Sequence, residues 1–460
     1  MDDDKKKVVT FVLFGGTGDL TRKKLVPAFA NLVDRGVLSK SSTLIGISRK
    51  SFSDKQYKKF LVKSIRNKNE RKLVGKLNVK YLEGDFSNPE CFKRLKGMMS
   101  NCETRGCNRI YYLSTGFKFF PRIVSNLKRY NLNKAHNGYT RIIFEKPFGN
   151  NLKSSNLLDK KIHNTFSEEE VYRIDHYLAK ETVKNLNVLF FTNPILYSTL
   201  NREFVESIQV IVNEEVGVGN RINYYNDAGA IRDMIQNHLL QVLSLILMDR
   251  PDDLSPKSIH DAKINVLKGL EVSSARNHLI GQYKSYTSEI KKEGLKEKKT
   301  ETYAKVELNC KNKRWDGVKL VLRTGKKLRR RFGQIRINFK PYHANLGKGY
   351  EGLGNNKIII NIYPKQNVSI SMNSRNPVKD ENAKLVNFEF SREMEFGPNS
   401  IDEYSVLLEE AIKGNKALFA RDDEVKEAWK ISEKILKMKD KMKFIIYSDG
   451  ADPSEDILNK

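Results

Sequence analysis

Cysteine is scarce in this sequence. The 460 residues include four cysteines, Cys91, Cys102, Cys107 and Cys310, which show no CxxC spacing and no nearby cluster of histidines. That scarcity argues against a disulfide-stapled scaffold and a structural zinc site, and it is typical of a reducing compartment. Long apolar runs are also missing, because none approaches the ~20 residues that a membrane-spanning helix needs. The first residues, MDDDKKK, lack the apolar core of a secretory signal. We therefore expect a cytoplasmic protein that binds no membrane and no metal.

Acidic residues are too few to balance the basic ones. The sequence has 83 Lys and Arg against 55 Asp and Glu, which gives a net charge of +28. A basic surface can mark nucleic-acid binding, but here the lysines are spread from end to end without a recognised nucleic-acid motif. We expect no nucleic-acid partner. The positive field would instead speed the capture of anionic small molecules.

The length of the chain and its first apolar runs predict two domains. A chain of 460 residues exceeds the size at which one core stops growing. Over residues 1–173, apolar runs that read as buried strands alternate with helix-like segments, which favours a doubly wound, Rossmann-like parallel sheet of the α/β class. These runs are residues 8–14, 44–47, 79–82, 110–113 and 141–144.

Residues 174–460 show a different rhythm. Candidate strands follow one another with few long helices between them, which favours an α+β domain with a large, mostly antiparallel sheet covered by helices. The strands are predicted at 204–213, 303–309, 319–323, 334–339, 357–363, 368–372 and 386–390, and the helices at about 228–248, 402–420 and 422–440. Residues 284–302 are charged and lack apolar periodicity, so we expect a mobile loop there.

A glycine-rich turn, GGTGDL, separates the first strand from the first helix. This is where a dinucleotide-binding fold places the pyrophosphate, on backbone amides at a helix N-terminus. The spacing is GxxGxx rather than GxGxxG, and an ordinary tight turn is the alternative. The residues of the turn that we expect to contact the cofactor are Gly15, Thr17, Gly18, Asp19 and Leu20.

The second strand is followed by Arg49 and Lys50. An NAD enzyme usually places an acid at this strand end, whereas a basic residue suits the 2′-phosphate of NADP. Arg49 is the better candidate because a guanidinium pairs with phosphate through two parallel hydrogen bonds. A surface arginine without a ligand is the alternative. The sequence predicts NADP as the cofactor.

The nonapeptide RIDHYLAKE at 173–181 holds several polar side chains close together. If it is helical, His176 and Lys180 lie four apart on one face with Tyr177 beside them, and three donors of this kind can bind a phosphate. Asp175 points elsewhere and could hold a histidine. A solvated polar helix start is the alternative.

Two further segments carry candidate groups. Lys146 follows the strand at 141–144, where ligands of such sheets lie, and the next residue, Pro147, holds it in an extended backbone. The apolar helix predicted at 228–248 carries Asp233 and His238 near its start. Histidine is the commonest general base, although a satisfied core histidine is the alternative.

Four motifs in this order resemble those of the glucose-6-phosphate dehydrogenase family over nearly the whole chain. They are GGTGDL at 15–20, EKPFG at 145–149, RIDHYLAKE at 173–181 and IRDMIQNHLLQ at 231–241. The resemblance implies oxidation of glucose 6-phosphate to 6-phosphoglucono-lactone with hydride transfer to NADP, the entry step of the oxidative pentose phosphate pathway. It also implies a homodimer or homotetramer that assembles through the large sheet.

The resemblance implies roles for individual residues. His238 is expected to be the general base and Asp175 its partner. The residues expected to bind the substrate are Lys146, His176, Tyr177, Lys180, Glu214, Asp233, Lys326 and Arg331. Lys146 is expected between substrate and cofactor, and Thr17 and Arg49 are expected at the 2′-phosphate.

Three positions depart from the family pattern. The tripeptide at 115–117, Thr-Gly-Phe, replaces Leu-Pro-Pro and implies a differently shaped loop on the cofactor side. Ala179 replaces a glycine in the nonapeptide. Tyr363 replaces a glutamine of animal members, and this replacement argues against a second, structural NADP.

Two rival interpretations are another two-domain sugar oxidoreductase and a basic nucleic-acid-binding protein on an inactive dehydrogenase fold. The phosphate-binding set argues against the first, and the complete set of catalytic candidates argues against the second.

Overall fold

The computed structural model describes residues 8–102, 108–341, 353–375, 383–397 and 401–453. It divides into two compact units. The first unit comprises Met1–Ala179 and Ile401–Lys426, and the second comprises Lys180–Ser400 and Glu427–Lys460. The boundary that we predicted after residue 173 therefore lies close to this division, but the return of residues 401–426 to the first unit was not predicted.

The strands and helices of the described residues are numbered in chain order. The strands are β1 (Val9–Phe14), β2 (Thr43–Ser48), β3 (Asn78–Glu83), β4 (Asn108–Leu113), β5 (Thr140–Phe144), β6 (Val171–Ile174), β7 (Val205–Asn213), β8 (Leu270–Val272), β9 (Leu279–Tyr283), β10 (Tyr303–Cys310), β11 (Lys319–Gly325), β12 (Phe332–Phe339), β13 (Lys357–Tyr363), β14 (Asn367–Arg375), β15 (Ala383–Ser391), β16 (Phe419–Ala420) and β17 (Lys443–Tyr447). The helices are α1 (Val26–Asp34), α2 (Asp54–Ser64), α3 (Lys68–Lys76), α4 (Pro89–Cys102), α5 (Phe120–Arg129), α6 (Leu152–His163), α7 (Glu181–Phe191), α8 (Pro194–Thr199), α9 (Ile222–Ala230), α10 (Leu240–Leu247), α11 (Pro256–Gly269), α12 (Tyr286–Lys292), α13 (Arg392–Phe396), α14 (Glu403–Lys413) and α15 (Asp422–Lys437). Two π-helical segments, Thr21–Leu25 and Ile231–Leu239, lead into α1 and α10.

The first unit is built on a seven-stranded sheet. Its strand order is β16-β6-β5-β4-β1-β2-β3, and every pairing except that of β16 is parallel. All residues of β1 and β2 are buried, because a parallel sheet is covered by helices on both faces. The doubly wound α/β prediction is confirmed.

The second unit contains a ten-stranded sheet. Its main path is β15-β14-β13-β12-β7-β11-β10-β9-β17, and β8 pairs with β10. The pairings β7–β11 and β9–β17 are parallel and the others are antiparallel, which confirms the predicted sheet type. In β13 buried and half-buried residues alternate, as expected when one face packs on the core.

Three predicted segments differ from the observed ones. The nonapeptide is not helical: it comprises the end of β6, a turn and the first residue of α7. Residues 284–302 do not form an open loop, because α12 lies within them and buries Tyr286 and Ile290. The helix predicted at 402–420 ends at Lys413, where Gly414 adopts a left-handed backbone with φ +88°.

Two further points concern membrane-spanning helices and the cysteines. Within the described part of the chain, no helix combines the length and apolar character that crossing a membrane requires. Cys91 and Cys310 are buried, free thiols. Cys107 and the side chain of Cys102 lie outside the described residues.

Candidate active site

The glycine turn after β1 requires glycine at its first two positions. The backbone N–H groups of Gly15 and Gly16 both donate to the carbonyl of Ile47, over 3.0 and 2.9 Å. Gly15 has φ +96°, and a Cβ added to it would lie 3.0 Å from the carbonyl carbon of Ser114. A Cβ on Gly16 would lie 2.9 Å from the Cα of Gly46. Because the turn is bare backbone at the start of a helical segment, it fits the pyrophosphate of a dinucleotide.

The other predicted residues of the turn have different surroundings. The hydroxyl of Thr17 donates to that of Ser48 over 3.1 Å, and the N–H of Gly18 donates to the carbonyl of Gly15 over 2.9 Å. Asp19 is exposed and pairs with Arg22 and Lys23, and the hydrogen bond from Lys23 is the main cause that lowers its pKa. Leu20 packs against the core of the first unit. Asp19 and Leu20 therefore have local structural roles, and their contact with a cofactor stays a prediction.

Arg49 and Lys146 each follow a strand of the parallel sheet. Arg49 is exposed and comes directly after β2. Lys146 is half-buried, follows β5 by two residues and precedes Pro147 through a cis peptide bond. Beside it, the hydroxyl of Tyr112 donates to the carboxylate of Glu145 over 2.5 Å, and burial raises the pKa of Glu145. The Tyr112–Glu145 contact thus anchors the strand end that carries Lys146.

The turn after β6 carries Asp175, His176 and Tyr177. The carboxylate of Asp175 accepts the backbone N–H of Tyr177 over 3.0 Å, and the ring centroids of His176 and Tyr177 lie 4.9 Å apart. Because β1, β2, β5 and β6 run parallel, the residues that follow them lie at the same edge of the sheet. The first unit thus brings its predicted residues to one edge.

Buried ion pairs hold β6 in place. Arg173 is 1% exposed and donates to Asp159 over 3.0 Å and to Glu168 over 2.8 Å. Burial raises the pKa of Asp159, and Arg173 opposes that rise. This pairing fixes the strand immediately before Asp175.

In the second unit, Glu214, Asp233 and Lys326 form a cluster that we call the Lys326 cluster. The ammonium of Lys326 pairs with Glu214 and lies 3.8 Å from Asp233. It also lies 5.3 Å from the ring centroid of Tyr225, whose pKa is raised by burial and by Asp233. Glu214 follows β7 and Lys326 follows β11, and the parallel pairing of these strands brings both residues to one sheet edge. The three predicted residues are therefore brought together.

Lys180 and Arg331 meet at an aromatic ring. The ammonium of Lys180 lies 5.2 Å, and the guanidinium carbon of Arg331 5.1 Å, from the ring centroid of Tyr363. Lys180 caps the start of α7 with an extended backbone. Two predicted phosphate ligands thus contact the same ring, which is the last residue of β13.

His238 and Asp233 lie on the π-helical segment Ile231–Leu239, and both are buried. π-Helical turns inside helices are frequent at functional sites. The backbone N–H of His238 donates to the side chain of Asn237 over 2.7 Å. The segment thus carries the predicted base and one predicted sugar ligand.

The start of that segment is held by Glu301, which is buried. Its backbone carbonyl accepts the N–H of Ala230 over 2.8 Å, and its carboxylate accepts that of Ile231 over 3.3 Å. The second carboxylate oxygen pairs with Lys439. Gly229, with φ 67° and ψ 176°, leaves the space that this carboxylate occupies. The contacts of Glu301, Tyr225 and Tyr363 could not be predicted from the sequence, because they join distant segments.

Comparisons with known proteins identify the family. Residues 12–185 match the family model described as "Glucose-6-phosphate dehydrogenase, NAD binding domain", and residues 187–459 match "Glucose-6-phosphate dehydrogenase, C-terminal domain". Glucose-6-phosphate 1-dehydrogenase of Borreliella burgdorferi is 36% identical over 91% of this chain and 89% of its own length. The Arabidopsis thaliana protein glucose-6-phosphate 1-dehydrogenase 6, cytoplasmic, is 33% identical over 96% of this chain and 88% of its own.

A solved structure of glucose-6-phosphate dehydrogenase in complex with its substrate glucose 6-phosphate is also similar. It superposes with a TM-score of 0.89 at 30% identity and covers 98% of this chain and 97% of its own. Both compact units therefore have counterparts in one known enzyme fold. The chain belongs to the glucose-6-phosphate dehydrogenase family.

Proposed function

We propose that this protein oxidises glucose 6-phosphate to 6-phosphoglucono-lactone and uses NADP as the hydride acceptor. The family supports a nicotinamide cofactor and this substrate. The observation that carries the proposal is the arrangement in the second unit. There Lys180 and Arg331 both lie against the ring of Tyr363, and Lys326 pairs with Glu214 beside Asp233. We assign the first pair to the phosphate and the two carboxylates to the sugar.

The phosphate of the substrate is assigned to four side chains. Lys180 and Arg331 supply positive charge, and both are supported by their contact with Tyr363. His176 and Tyr177 supply further donors by resemblance to the family motif. A dianionic ester requires several charge-assisted hydrogen bonds, which a neutral sugar does not.

The sugar hydroxyls are assigned to the carboxylates of Glu214 and Asp233. Carboxylates accept hydrogen bonds from hydroxyl groups and can accept two each. Lys326 pairs with Glu214 and lies 3.8 Å from Asp233, so its positive charge offsets part of theirs. The Lys326 cluster would thereby hold the sugar ring in one orientation.

The proton is assigned to His238. As the general base, His238 takes the proton of the anomeric hydroxyl while the O–H electron pair forms the carbonyl of the lactone. Asp175 orients the imidazole and stabilises its charged form. When bound, NADP supplies the nicotinamide ring that accepts the hydride from the anomeric carbon. Lys146 lies between substrate and cofactor in this proposal.

The choice of NADP rests on the end of β2. Arg49 is exposed there, next to Lys50, and no acid stands in the place that NAD enzymes use for the ribose hydroxyls. Thr17 is assigned to the same phosphate. The glycine turn fits the pyrophosphate that NAD and NADP share.

Assembly and location complete the proposal. Large apolar side chains of β14 and β15 are exposed, with Phe388 60%, Met372 47% and Phe390 43% accessible. Exposed apolar patches mark protein–protein contacts, which supports a homodimer or homotetramer through this sheet. The scarcity of cysteine and the name of the plant relative, a cytoplasmic enzyme, support a location in the cytoplasm.

The test is growth of NADPH absorbance on mixing the protein with NADP and either glucose 6-phosphate or glucose. The proposal expects turnover with the ester and a far lower kcat/KM with glucose. Equal rates would favour another sugar oxidoreductase. Salt-dependent binding to duplex DNA without NADP reduction would instead support the nucleic-acid alternative.

A further inference from the structure

We propose that Tyr81 is a positioning residue for cofactor selectivity, because its hydroxyl fixes the backbone on both sides of Arg49. The inference rests on the proposed function, which assigns Arg49 to the 2′-phosphate of NADP. Every residue in it belongs to the first unit.

Tyr81 lies on β3, next to β2, and is buried. Its hydroxyl donates to the carbonyl of Lys50 over 2.5 Å and lies 3.2 Å from that of Ser48. The hydroxyls of Tyr81 and Ser48 are 2.7 Å apart. Arg49 stands between the two residues so held. The tyrosine thus holds the backbone on both sides of Arg49.

The same hydroxyl connects to the glycine turn. Because Tyr81 uses its single hydrogen on Lys50, the hydroxyl of Ser48 can donate to Tyr81, and Ser48 in turn accepts from Thr17 over 3.1 Å. Three hydroxyls therefore form one chain from Thr17 to the carbonyl of Lys50. Hydrogen bonds in such chains polarise and strengthen one another. The chain sets the spacing between Thr17 and Arg49, the two residues assigned to the 2′-phosphate.

A second tyrosine supports the turn itself. The ring centroids of Tyr57 and Tyr81 lie 4.5 Å apart, and the hydroxyl of Tyr57 donates to the carbonyl of Gly16 over 2.7 Å. A Cβ on Gly46 would lie 2.6 Å from Cε1 of Tyr57 and closer still to its Cζ, so glycine makes room for the ring. Burial raises the pKa of both tyrosines, so both remain protonated donors. Tyr57 holds the turn that NAD and NADP share, whereas Tyr81 holds the residue that only NADP needs.

The backbone anchor matters because Arg49 itself is exposed. A long, flexible arginine loses side-chain conformational entropy when it pairs with a phosphate. If its backbone is already fixed, little backbone entropy is lost in addition. The backbone N–H of Tyr81 donates to Asp54 over 2.7 Å, which fixes the tyrosine in turn. NAD has no 2′-phosphate, so its binding does not depend on this arrangement.

The test compares kcat/KM for NADP and for NAD with glucose 6-phosphate in wild type and Tyr81→Phe. We expect the NADP-to-NAD ratio to fall about fivefold in Tyr81→Phe, the effect of one hydrogen bond, through a higher KM for NADP. The matched control is Tyr111→Phe, a buried tyrosine whose hydroxyl donates to the carbonyl of Leu132 over 2.7 Å. The ratio should hold in that control. In an Arg49→Ala background, Tyr81→Phe should leave the ratio unchanged.

Other outcomes overturn the inference. An unchanged ratio in Tyr81→Phe, or an equal loss with NAD and NADP, would show that Tyr81 serves only the fold. A fall of the same size in the Arg49→Ala background would show that it does not act through Arg49. If Tyr81→Phe folds poorly, Ser48→Ala replaces it in the test, because it removes the middle hydroxyl of the chain and should lower the same NADP-to-NAD ratio. A wild type without NADP preference would instead overturn the NADP assignment on which the inference rests.

Discussion

Gly229→Ala tests whether Glu301 holds the segment that carries Asp233 and His238. At φ 67° and ψ 176°, alanine occupies a backbone region that is essentially restricted to glycine, which costs about 1–3 kcal/mol. The new Cβ would also lie 2.6 Å from the carboxyl carbon of Glu301, so the carboxylate must move. Its contacts with Ile231 and Lys439 would then weaken, at a cost of about 1–3 kcal/mol.

The two contributions sum to about 2–6 kcal/mol, a large fraction of the total stability of a typical domain. In a unit of this size the melting temperature should fall by about 10 °C. Because the helix start shifts, kcat for glucose 6-phosphate should also fall, by roughly tenfold or more. Differential scanning calorimetry and initial rates measure the two effects.

Gly219→Ala is the matched control. Gly219 also has a positive φ, +57°, but a Cβ there meets nothing within 4 Å. Only backbone strain of about 1–2 kcal/mol is expected, without loss of kcat. If the two alanine variants melt at the same temperature and Gly229→Ala keeps its kcat, the proposed role of Glu301 is wrong.

Three further predictions concern other parts of the molecule. Arg173→Met leaves Asp159 buried without its guanidinium, so chemical denaturation should show a loss of about 3–5 kcal/mol near pH 7. Burial already raises the pKa of Asp159, and the variant raises it further, so proton uptake should relieve the loss as the pH falls toward 4. Arg49→Ala should raise KM for NADP far more than KM for NAD, and equal changes in steady-state rates would exclude the assignment. Lys326→Met leaves the two carboxylates of the Lys326 cluster without their cation, and kcat/KM for glucose 6-phosphate should fall about 100-fold, whereas an unchanged value would exclude the cluster from the substrate site.

Most of the strands could be predicted from the sequence because apolar runs of the right length are local signals, but β8, β9, β16 and β17 were not predicted. The nonapeptide at 173–181 was misread because its helix-like spacing hid a short strand, β6, which depends on pairing with β5. The helix α12 was missed although Tyr286 and Ile290 stand four apart, since the surrounding charge concealed a two-residue apolar face. The return of residues 401–426 to the first unit depends on packing that no local pattern encodes.

Part of the candidate site could also be predicted from the sequence. Motifs supplied Glu214, Asp233 and Lys326, which the structure brings together. The contacts of Tyr81 with Lys50 and of Glu301 with the start of Ile231–Leu239 join residues distant in sequence. Such pairs become visible only after the sheets have assembled, so sequence patterns could not predict them.

The most direct measurement of the central claim compares wild type with His238→Asn in the NADP and glucose 6-phosphate assay. If His238 removes the proton, kcat should fall by about 10²–10⁴-fold while KM for the sugar phosphate changes little. Comparable turnover in the variant would contradict the proposed base and the mechanism built on it.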